Sequence, residues 1–184
     1  MKQVDTIYGK IPHSAWVKAS QIKLLICDVD GVFSDGRIYL GNQGEELKAF
    51  HTKDGFGVKS LINESIDVAI ITGRKSLIVE NRMKSLGIKH IYQGQDNKFL
   101  AYQEIMTTLN LEPHQVAYIG DDVVDKVVMD DCGLGIAVND AHPLLIKDCD
   151  YRTYTPGGFG AVREVSDLLL ASINKLTTAK GMSV

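Results

Sequence analysis

Strand-sized runs of apolar residues alternate along the chain with longer stretches in which apolar residues recur at helical spacing. Short runs with few polar residues are typical of strands whose two faces are both covered. We predict strands at 22–27, 68–71, 90–92, 116–119 and 135–138, with a short edge strand at 150–154. We predict helices over about 10–20, 56–63, 76–86, 98–109, 123–132, 141–148 and from 161 to about 175.

This alternation predicts an α/β fold with a central parallel sheet between two layers of helices. A different texture interrupts it at about 32–50, where two extended pieces flank Gly41-Asn42-Gln43-Gly44. Glycine and asparagine between extended pieces indicate a β-hairpin, which we expect to form a flap after the first strand. A glycine-rich break at 157–160 precedes a C-terminal unit of about 160–184, a last helix followed by a polar tail.

Length and composition narrow the class of protein. The 184 residues fit one domain over 1–184, and 20 Lys and Arg against 23 Asp and Glu give a net charge of −3. That balance offers no basic surface for a polyanion, so we expect no nucleic-acid partner. No apolar run approaches the roughly 20 residues that cross a bilayer, so we expect no membrane partner. Three cysteines without metal or redox spacing predict reduced thiols and a cytoplasmic protein.

Polar residues directly follow several of the predicted strands. In an open α/β sheet, ligands bind at the carboxyl ends of the strands, so these residues converge on one edge. Two carboxylates roughly 4 Å apart repel by about 4 kcal/mol at an effective dielectric constant of about 20. A divalent cation offsets that repulsion, and few carboxylates plus waters suit Mg²⁺. The residues are Asp28 and Asp30 after the first strand, Thr72 and Gly73 after the second, Lys98 at the start of the helix after the third, and Asp121 and Asp122 after the fourth.

Thr72 and Lys98 add a hydroxyl donor and an ammonium to this group of carboxylates. A magnesium ion that keeps several waters generally also takes a phosphate oxygen. The hydroxyl and the ammonium suit the remaining oxygens of a transferring phosphoryl group. The residues alone therefore predict Mg²⁺-dependent phosphoryl transfer.

In this order the residues resemble the four motifs of the haloacid dehalogenase (HAD) superfamily of phosphohydrolases. The motifs stand here as Asp28-Val29-Asp30-Gly31-Val32, Thr72-Gly73-Arg74, Lys98 and Gly120-Asp121-Asp122-Val123-Val124-Asp125. The resemblance covers about residues 22–140 and implies a Rossmann-like three-layer fold around the predicted sheet. Phosphatases of this superfamily have an aspartate where Asp30 stands, so the resemblance favours a phosphatase over a dehalogenase.

The resemblance also implies a role for the first and last motifs. Asp28 is the expected nucleophile, which forms an aspartyl-phosphate, and Asp30 is the expected general acid and base. The carboxylates of Asp28 and Asp121 and the backbone carbonyl of Asp30 would hold Mg²⁺.

The resemblance assigns the remaining motif residues to the phosphate and to the surroundings of the metal. Thr72, Lys98 and the amide of Gly73 would bind the phosphoryl oxygens. Asp122 and Asp125 would orient Lys98 or a water on the metal rather than touch the metal. A role as charges at a helix N-terminus is the alternative for these two aspartates.

The spacing of the motifs leaves no room for a cap domain. Asp28 and Thr72 are 44 positions apart, and Lys98 and Asp121 are 23 positions apart. We therefore expect a capless enzyme whose open site acts on a bulky molecule or is covered by another subunit. The flap could pair with copies of itself, because its edges are otherwise exposed. The tail at 177–184 could close the site of a neighbouring subunit.

Longer stretches resemble one subfamily, the 3-deoxy-D-manno-octulosonate 8-phosphate (KDO 8-phosphate) phosphatases. The resemblance implies hydrolysis of that sugar phosphate for lipopolysaccharide synthesis in Gram-negative bacteria, by homotetramers in which neighbouring subunits cover the site. An acidic sugar phosphate needs a further cation, and Arg74 is the best placed one because it directly follows Thr72-Gly73. The stretches are Asp28–Val32 with Asp35-Gly36, Phe50–Gly57, Ile71–Arg74, Gly120–Asp125, Ala141–Pro143 and Gly157–Glu164.

Two other functions stay open from the sequence. A phosphatase of a related nine-carbon sugar acid 9-phosphate would carry the same motifs. A phospho-receiver domain also combines acidic residues with Thr and Lys, but its phosphorylated aspartate follows the third strand, where this chain has Tyr92-Gln93-Gly94. A dinucleotide-binding domain is disfavoured, because no G-x-G-x-x-G follows the first strand.

Overall fold

A computed structural model describes residues 2–181 of the chain. In chain order its strands are β1 (Gln3–Thr6), β2 (Gly9–Pro12), β3 (Leu24–Cys27), β4 (Tyr39–Leu40), β5 (Glu46–Leu47), β6 (Asp67–Thr72), β7 (His90–Gln93), β8 (Val116–Gly120), β9 (Leu134–Ala137) and β10 (Tyr151–Arg152). Its α-helices are α1 (His13–Ala19), α2 (Thr52–Asn63), α3 (Leu77–Ser85), α4 (Lys98–Leu109), α5 (Lys126–Met129), α6 (Pro143–Asp148) and α7 (Ala161–Ser172). Short 3₁₀ turns occupy Pro113–Gln115, Val123–Asp125 and Leu176–Thr178.

The central sheet has six parallel strands in the order β10-β9-β8-β3-β6-β7. From β3 the chain moves outward through β6 and β7, then returns to β8 on the other side of β3 and continues to β9 and β10. Right-handed crossovers in opposite directions place α2 and α3 on one face of the sheet and α4 and α5 on the other. This layered parallel sheet confirms the α/β class predicted from the alternation of elements.

The reversal of strand order at β3 fixes where a ligand can bind. In open α/β sheets the crevice lies outside the carboxyl ends of the strands at the point where the order reverses. The strands there, β3, β6 and β8, consist almost entirely of buried residues. Buried apolar residues from Ile11 to Leu170 form one hydrophobic core cluster, and one domain over 1–184 stays a prediction.

The first third of the chain differs from the sequence prediction in an N-terminal hairpin and in the starts of helices α1 and α2. Residues 3–12 form an antiparallel hairpin of β1 and β2, so the helix predicted over 10–20 begins only at His13. These two strands were missed because most of their residues are polar and are exposed or half-buried. Helix α2 begins at Thr52, four positions before the predicted Phe56, because the His51 side chain caps it by accepting a hydrogen bond from the amide of Lys53.

The helix predicted over 123–132 is shorter in the structure. Its first turn is the 3₁₀ turn Val123–Asp125, and α5 ends at Met129. The side chain of Asp125 accepts from the amides that open this turn, which tightens it. No helix within residues 2–181 is both long and apolar enough to span a bilayer.

The flap predicted after the first strand is present as the short antiparallel pair β4 and β5. Tyr39 lies opposite Leu47 and Leu40 lies opposite Glu46. The side chains of Tyr39, Leu40 and Leu47 are 53%, 72% and 66% exposed, respectively. The flap therefore presents apolar side chains to its surroundings.

The chain beyond α7 turns back along α2. The Asn63 side chain donates a hydrogen bond of 2.6 Å to the carbonyl oxygen of Lys180. Residues 177–181 of the predicted tail thus lie against the same subunit, while Met1 and the last three residues of the tail lie outside the described residues.

The glycine-rich break at 157–160 packs against the loop that follows β3. An ideal Cβ on Gly157 would overlap the carbonyl oxygen of Gly31, and the amide of Gly158 donates 2.9 Å to the carbonyl oxygen of Val32. Gly158 also has φ +75°, which other residues adopt only with strain. Glycine at these positions lets the two loops touch and supports the backbone of the first motif.

We expect Gly157→Ala to destabilise the protein, because the new methyl group would overlap the Gly31 carbonyl and neither of the two packed loops can move away. Equilibrium unfolding in denaturant, at one fixed protein concentration, should show a loss of about 1–3 kcal/mol in the free energy of unfolding. Gly41→Ala is the matched control, since its Cβ would meet only the movable side chain of Glu45. A change of less than about 0.5 kcal/mol is expected there. Equal stabilities for the two variants would contradict the packing described here.

Candidate active site

The carboxyl ends of β3, β6 and β8 bring the predicted site residues into one cleft. Cys27, the last residue of β3, pairs in register with Ile70 and Ile119, so the residues that follow these three strands are neighbours. The cleft has a volume of about 470 Å³. Its lining includes Asp28, Asp30, Thr72, Gly73, Arg74, Lys98, Asp121 and Asp122, together with Gln95, Asp96 and Val124. Asp125 is fully buried beneath it.

Lys98 lies at the centre of the buried charges. It is the first residue of α4, where the Asn97 side chain caps the helix by accepting from the amide of Phe99. Its Nζ lies 3.0 Å from Oδ1 of Asp28 and 2.6 Å from Oδ1 of Asp125. Burial lowers the pKa of Lys98, but the two carboxylates raise it further than burial lowers it, so the ammonium stays charged.

Asp125 is satisfied by four hydrogen-bond donors. Its Oδ1 accepts from Nζ of Lys98 and from the Tyr118 hydroxyl, each at 2.6 Å. Its Oδ2 accepts from the amides of Asp121 and Asp122 at 3.0 and 3.1 Å. Although carboxylate oxygens of Asp28, Asp121 and Asp125 lie within 4.8 Å of one another, Asp125 has no oxygen left for a cation. Its geometry suits holding Lys98 in place.

Tyr118 was missed in the sequence. It is the one aromatic residue in an otherwise aliphatic, fully buried strand, and that contrast is the available signal. A buried tyrosine hydroxyl needs a polar partner, and here the partner is Asp125. Asp122, in contrast, is exposed, and its Oδ1 accepts from the amide of Val123 at 2.7 Å. Asp122 therefore caps the 3₁₀ turn, while its role toward a metal-bound water stays a prediction.

The remaining carboxylates of the cleft are poorly compensated. Burial, with the nearby charge of Asp125, raises the pKa of Asp28 to about 6 despite the opposing effect of Lys98. Burial and the charges of Asp28 and Asp125 raise the pKa of Asp121 to about 8. Gly31 has φ +89°, and an ideal Cβ there would overlap the carboxylate of Asp121, so glycine lets this group approach the first motif. An all-oxygen donor set with surplus negative charge fits Mg²⁺.

A set of charged side chains joins the flap to the mouth of the cleft. Lys48 donates to Oδ1 of Asp30, and its Nζ lies 3.7 Å from Oε1 of Glu46. Arg74 reaches Oε2 of Glu46 at 3.6 Å and Oδ2 of Asp30 at 3.9 Å. These four residues form a closed cycle of alternating charges, which we call the four-charge ring.

Lys48 and Glu46 were not predicted as site residues. The strand alternation of the flap contains the signal, because exposed Leu47 lies between them and places both on the opposite side. The sequence does not reveal, however, that this side faces Asp30 and Arg74.

This fold and site define a class, the haloacid dehalogenase-like hydrolases, and the family model of that description matches residues 88–156. Within it, the chain belongs to the family of 3-deoxy-D-manno-octulosonate 8-phosphate phosphatases. It is 55% identical to the phosphatase of that name from Yersinia pestis over 181 residues, 98% of this chain and 97% of that one. It is 54% identical to the Escherichia coli K12 phosphatase over 179 residues, 97% and 95% of the two chains. Both sequence resemblances are thereby confirmed, and the phospho-receiver alternative is wrong.

Solved structures agree with this family. The crystal structure of the Yersinia pestis phosphatase superposes with a TM-score of 0.98 and covers 100% of this chain and 99% of that one. The Moraxella catarrhalis phosphatase, in complex with magnesium ion, phosphate ion and KDO, superposes with a TM-score of 0.88 at 43% identity. It covers 90% of this chain and 95% of that one.

The raised pKa values of Asp28 and Asp121 predict how the metal-free protein responds to pH. An acid whose pKa is raised on folding keeps its proton in the folded state after the unfolded chain has lost it. The stability that these two groups contribute is therefore fully present below about pH 4. It is lost as the pH rises through about 6 for Asp28 and about 8 for Asp121. Asp54, whose pKa burial raises to about 7, acts in the same direction.

We expect the melting temperature in a chelator to fall between pH 5 and pH 8.5, and Asp121→Asn to reduce that fall. Added Mg²⁺ should raise the melting temperature more at pH 8 than at pH 5, because it binds the ionised carboxylates. Differential scanning calorimetry checks both. A chelated protein that gains stability over this range, or a Mg²⁺ effect independent of pH, would contradict these electrostatics.

Proposed function

We propose that the chain is a Mg²⁺-dependent phosphatase that hydrolyses KDO 8-phosphate to KDO and phosphate through an aspartyl-phosphate. The observation that carries this proposal is the family membership over nearly the whole chain, joined to a buried Asp28 beside Lys98 in the cleft. The reaction belongs to lipopolysaccharide synthesis, and we place it in the cytoplasm, where the three free cysteines stay reduced.

Asp28 is the proposed nucleophile. Lys98 holds its Oδ1 at 3.0 Å, which aims the carboxylate while leaving the other oxygen for attack. As the bond from Asp28 to phosphorus forms, the bond from phosphorus to the sugar oxygen breaks, and that oxygen takes a proton from Asp30. Water, losing a proton to Asp30, then attacks the aspartyl-phosphate and releases phosphate.

Mg²⁺ and the phosphoryl group would share the floor of the cleft. The carboxylates of Asp28 and Asp121 and the carbonyl of Asp30 would hold the ion, which when bound supplies positive charge against the phosphoryl oxygens. The hydroxyl of Thr72, the amide of Gly73 and the ammonium of Lys98 would bind those oxygens. Thr72 is only 3% exposed and lines the cleft, where its hydroxyl could donate to a buried phosphate.

Arg74 is the proposed contact for the acid group of the sugar. Its side chain is half exposed at the mouth of the cleft, beyond the phosphate-binding residues in sequence and in space. Its present partner in the flap, Glu46, is itself a carboxylate 3.6 Å away. A guanidinium that pairs with one carboxylate here has the charge and shape to donate hydrogen bonds to another.

A homotetramer is the proposed assembly. The flap exposes the apolar side chains of Tyr39, Leu40 and Leu47 and offers unpaired edges of β4 and β5. Exposed apolar groups next to open strand edges are suited to pairing between copies of one chain. Neighbouring subunits would then close the cleft, which no cap domain within residues 2–181 covers.

The nucleophile is tested by Asp28→Asn. This variant should lose at least about three orders of magnitude in turnover of KDO 8-phosphate, because an amide cannot form the aspartyl-phosphate. Phosphate release at saturating Mg²⁺ measures it, and circular dichroism checks the fold. Asp35→Asn, outside the cleft lining, is the matched control and should retain nearly full turnover. A near-normal rate for Asp28→Asn would remove Asp28 from the mechanism.

The assembly is tested by light scattering, which should give a mass near four times 20.2 kDa. Leu40→Asp should dissociate it, because a carboxylate cannot be buried in an apolar contact without a partner. Leu100→Asp is the matched control: Leu100 is 61% exposed on α4, outside the flap, and the mass should not change. A monomeric parent protein would refute the tetramer.

A further inference from the structure

We propose that Lys48 is a positioning residue for the general acid. Its ammonium holds Oδ1 of Asp30, so that Oδ2 is the oxygen that exchanges a proton with the leaving group. This inference rests on the proposed function, which gives Asp30 its role, and it adds the flap to the catalytic machinery of the same subunit.

The burial of Lys48 is the first step of the argument. Its side chain is 0% exposed, although it belongs to a flap whose apolar residues face outward. A lysine ammonium removed from water needs anionic partners, and its partners here are Asp30 and Glu46. Lys48 is therefore committed to this position and does not serve as a solvated surface charge.

The two oxygens of Asp30 are unequal. Oδ1 accepts from Nζ of Lys48 and from the Ser34 hydroxyl at 3.2 Å. Among residues 2–181, the ion-pair partner of Oδ2 is the guanidinium of Arg74, at 3.9 Å, which is beyond hydrogen-bond range. Among the hydrogen bonds of residues 2–181, none ends on Oδ2, and Asp30 lines the cleft beside Asp28. Oδ2 is thus the oxygen with capacity to carry a proton to the substrate.

The rest of the four-charge ring holds Lys48 itself in place. Glu46 bridges Lys48 and Arg74, and the Ser76 hydroxyl donates 3.0 Å to its Oε1. Alternating charges in a closed cycle favour one arrangement, since moving any member leaves like charges facing each other. The flap therefore presents the ammonium of Lys48 to Asp30 in a defined geometry.

The consequence concerns the step in which the leaving group departs. The electron pair of the breaking phosphorus–oxygen bond stays on the leaving oxygen, which takes its proton from Oδ2 of Asp30. A positioned acid typically contributes 10²–10⁴-fold. Proton donation by the acid is needed when the leaving group is a basic alkoxide, and is hardly needed when it is a weakly basic phenolate. Losing Lys48 should therefore cost most on poor leaving groups.

Phenyl phosphate and p-nitrophenyl phosphate form the discriminating pair, because they share a ring and lack a carboxylate but differ in the basicity of the leaving oxygen. In Lys48→Met we expect kcat/KM to fall roughly 100-fold on phenyl phosphate and on KDO 8-phosphate. On p-nitrophenyl phosphate the fall should be less than about three-fold, and Lys48→Arg should restore most of the loss. The matched control is Lys18→Met, which removes an ammonium 2.5 Å from Asp150, next to the outer strand β10 and outside the cleft lining. It should leave kcat/KM unchanged on all three substrates.

A double-mutant cycle with Asp30→Asn separates positioning from a merely structural role. Asp30→Asn should show the same dependence on the leaving group, and Lys48→Met should add almost nothing to it. Equal losses on the two aryl phosphates, or losses that multiply in the double variant, would overturn the proposal.

Two controls keep this result interpretable. If Lys48→Met does not fold, Lys48→Gln, which removes the ammonium but leaves a shorter polar side chain, is expected to show the same pattern. An unchanged rise of the melting temperature with Mg²⁺ verifies that the metal site of each variant is intact. A parent protein inactive on all three substrates would refute the proposed function instead, whereas an active parent with an unaffected Lys48→Met refutes only the positioning role.

Discussion

The placement of Lys98 between the buried carboxylates of Asp28 and Asp125 is the interaction on which the rest of the site depends. Charges removed from water are costly unless they are paired, and one ammonium cannot neutralise three carboxylates. Asp125 is satisfied by hydrogen bonds, so the uncompensated charge remains on Asp28 and Asp121, whose pKa values are raised first by burial and then by the neighbouring carboxylates. A site with this surplus favours a divalent cation and, with it, a phosphoryl group. The proposed chemistry thus follows from how the charge is distributed.

The fold supplies the means of burying these charges together. Strand β3 lies inside the sheet, and later strands are added first on one side of it and then on the other, so its two parallel neighbours deliver Thr72 and Asp121 to the end of β3. Because Gly31 has no side chain, Asp121 can approach the first motif. Because Gly157 has none, the 157–160 loop can pack against that motif. Lys98 is the first residue of helix α4, so the Asn97 cap that fixes the start of the helix also fixes the position of Lys98.

The central sheet and the floor of the cleft were predictable because short apolar runs and the residues that follow them are local features of the sequence. Lys98, for example, was placed by the predicted start of its helix. The N-terminal hairpin was not predictable in this way, since its residues are polar and its pairing alone defines it. Lys48 and Glu46 were missed for a related reason. Alternation around Leu47 tells that they share a side of the flap, but only folding shows that Asp30 and Arg74 lie on that side.

An open cleft with a short flap leaves substrate selection to groups at its mouth, where Arg74 and the four-charge ring lie. The central claim is nevertheless the transfer of phosphorus to Asp28, which requires two successive displacements. The stereochemical course at phosphorus tests it most directly, with an ester made chiral at phosphorus by oxygen isotopes. Each in-line displacement inverts the phosphorus, so two displacements predict overall retention of configuration. Inversion would show direct attack by water and would contradict the aspartyl-phosphate.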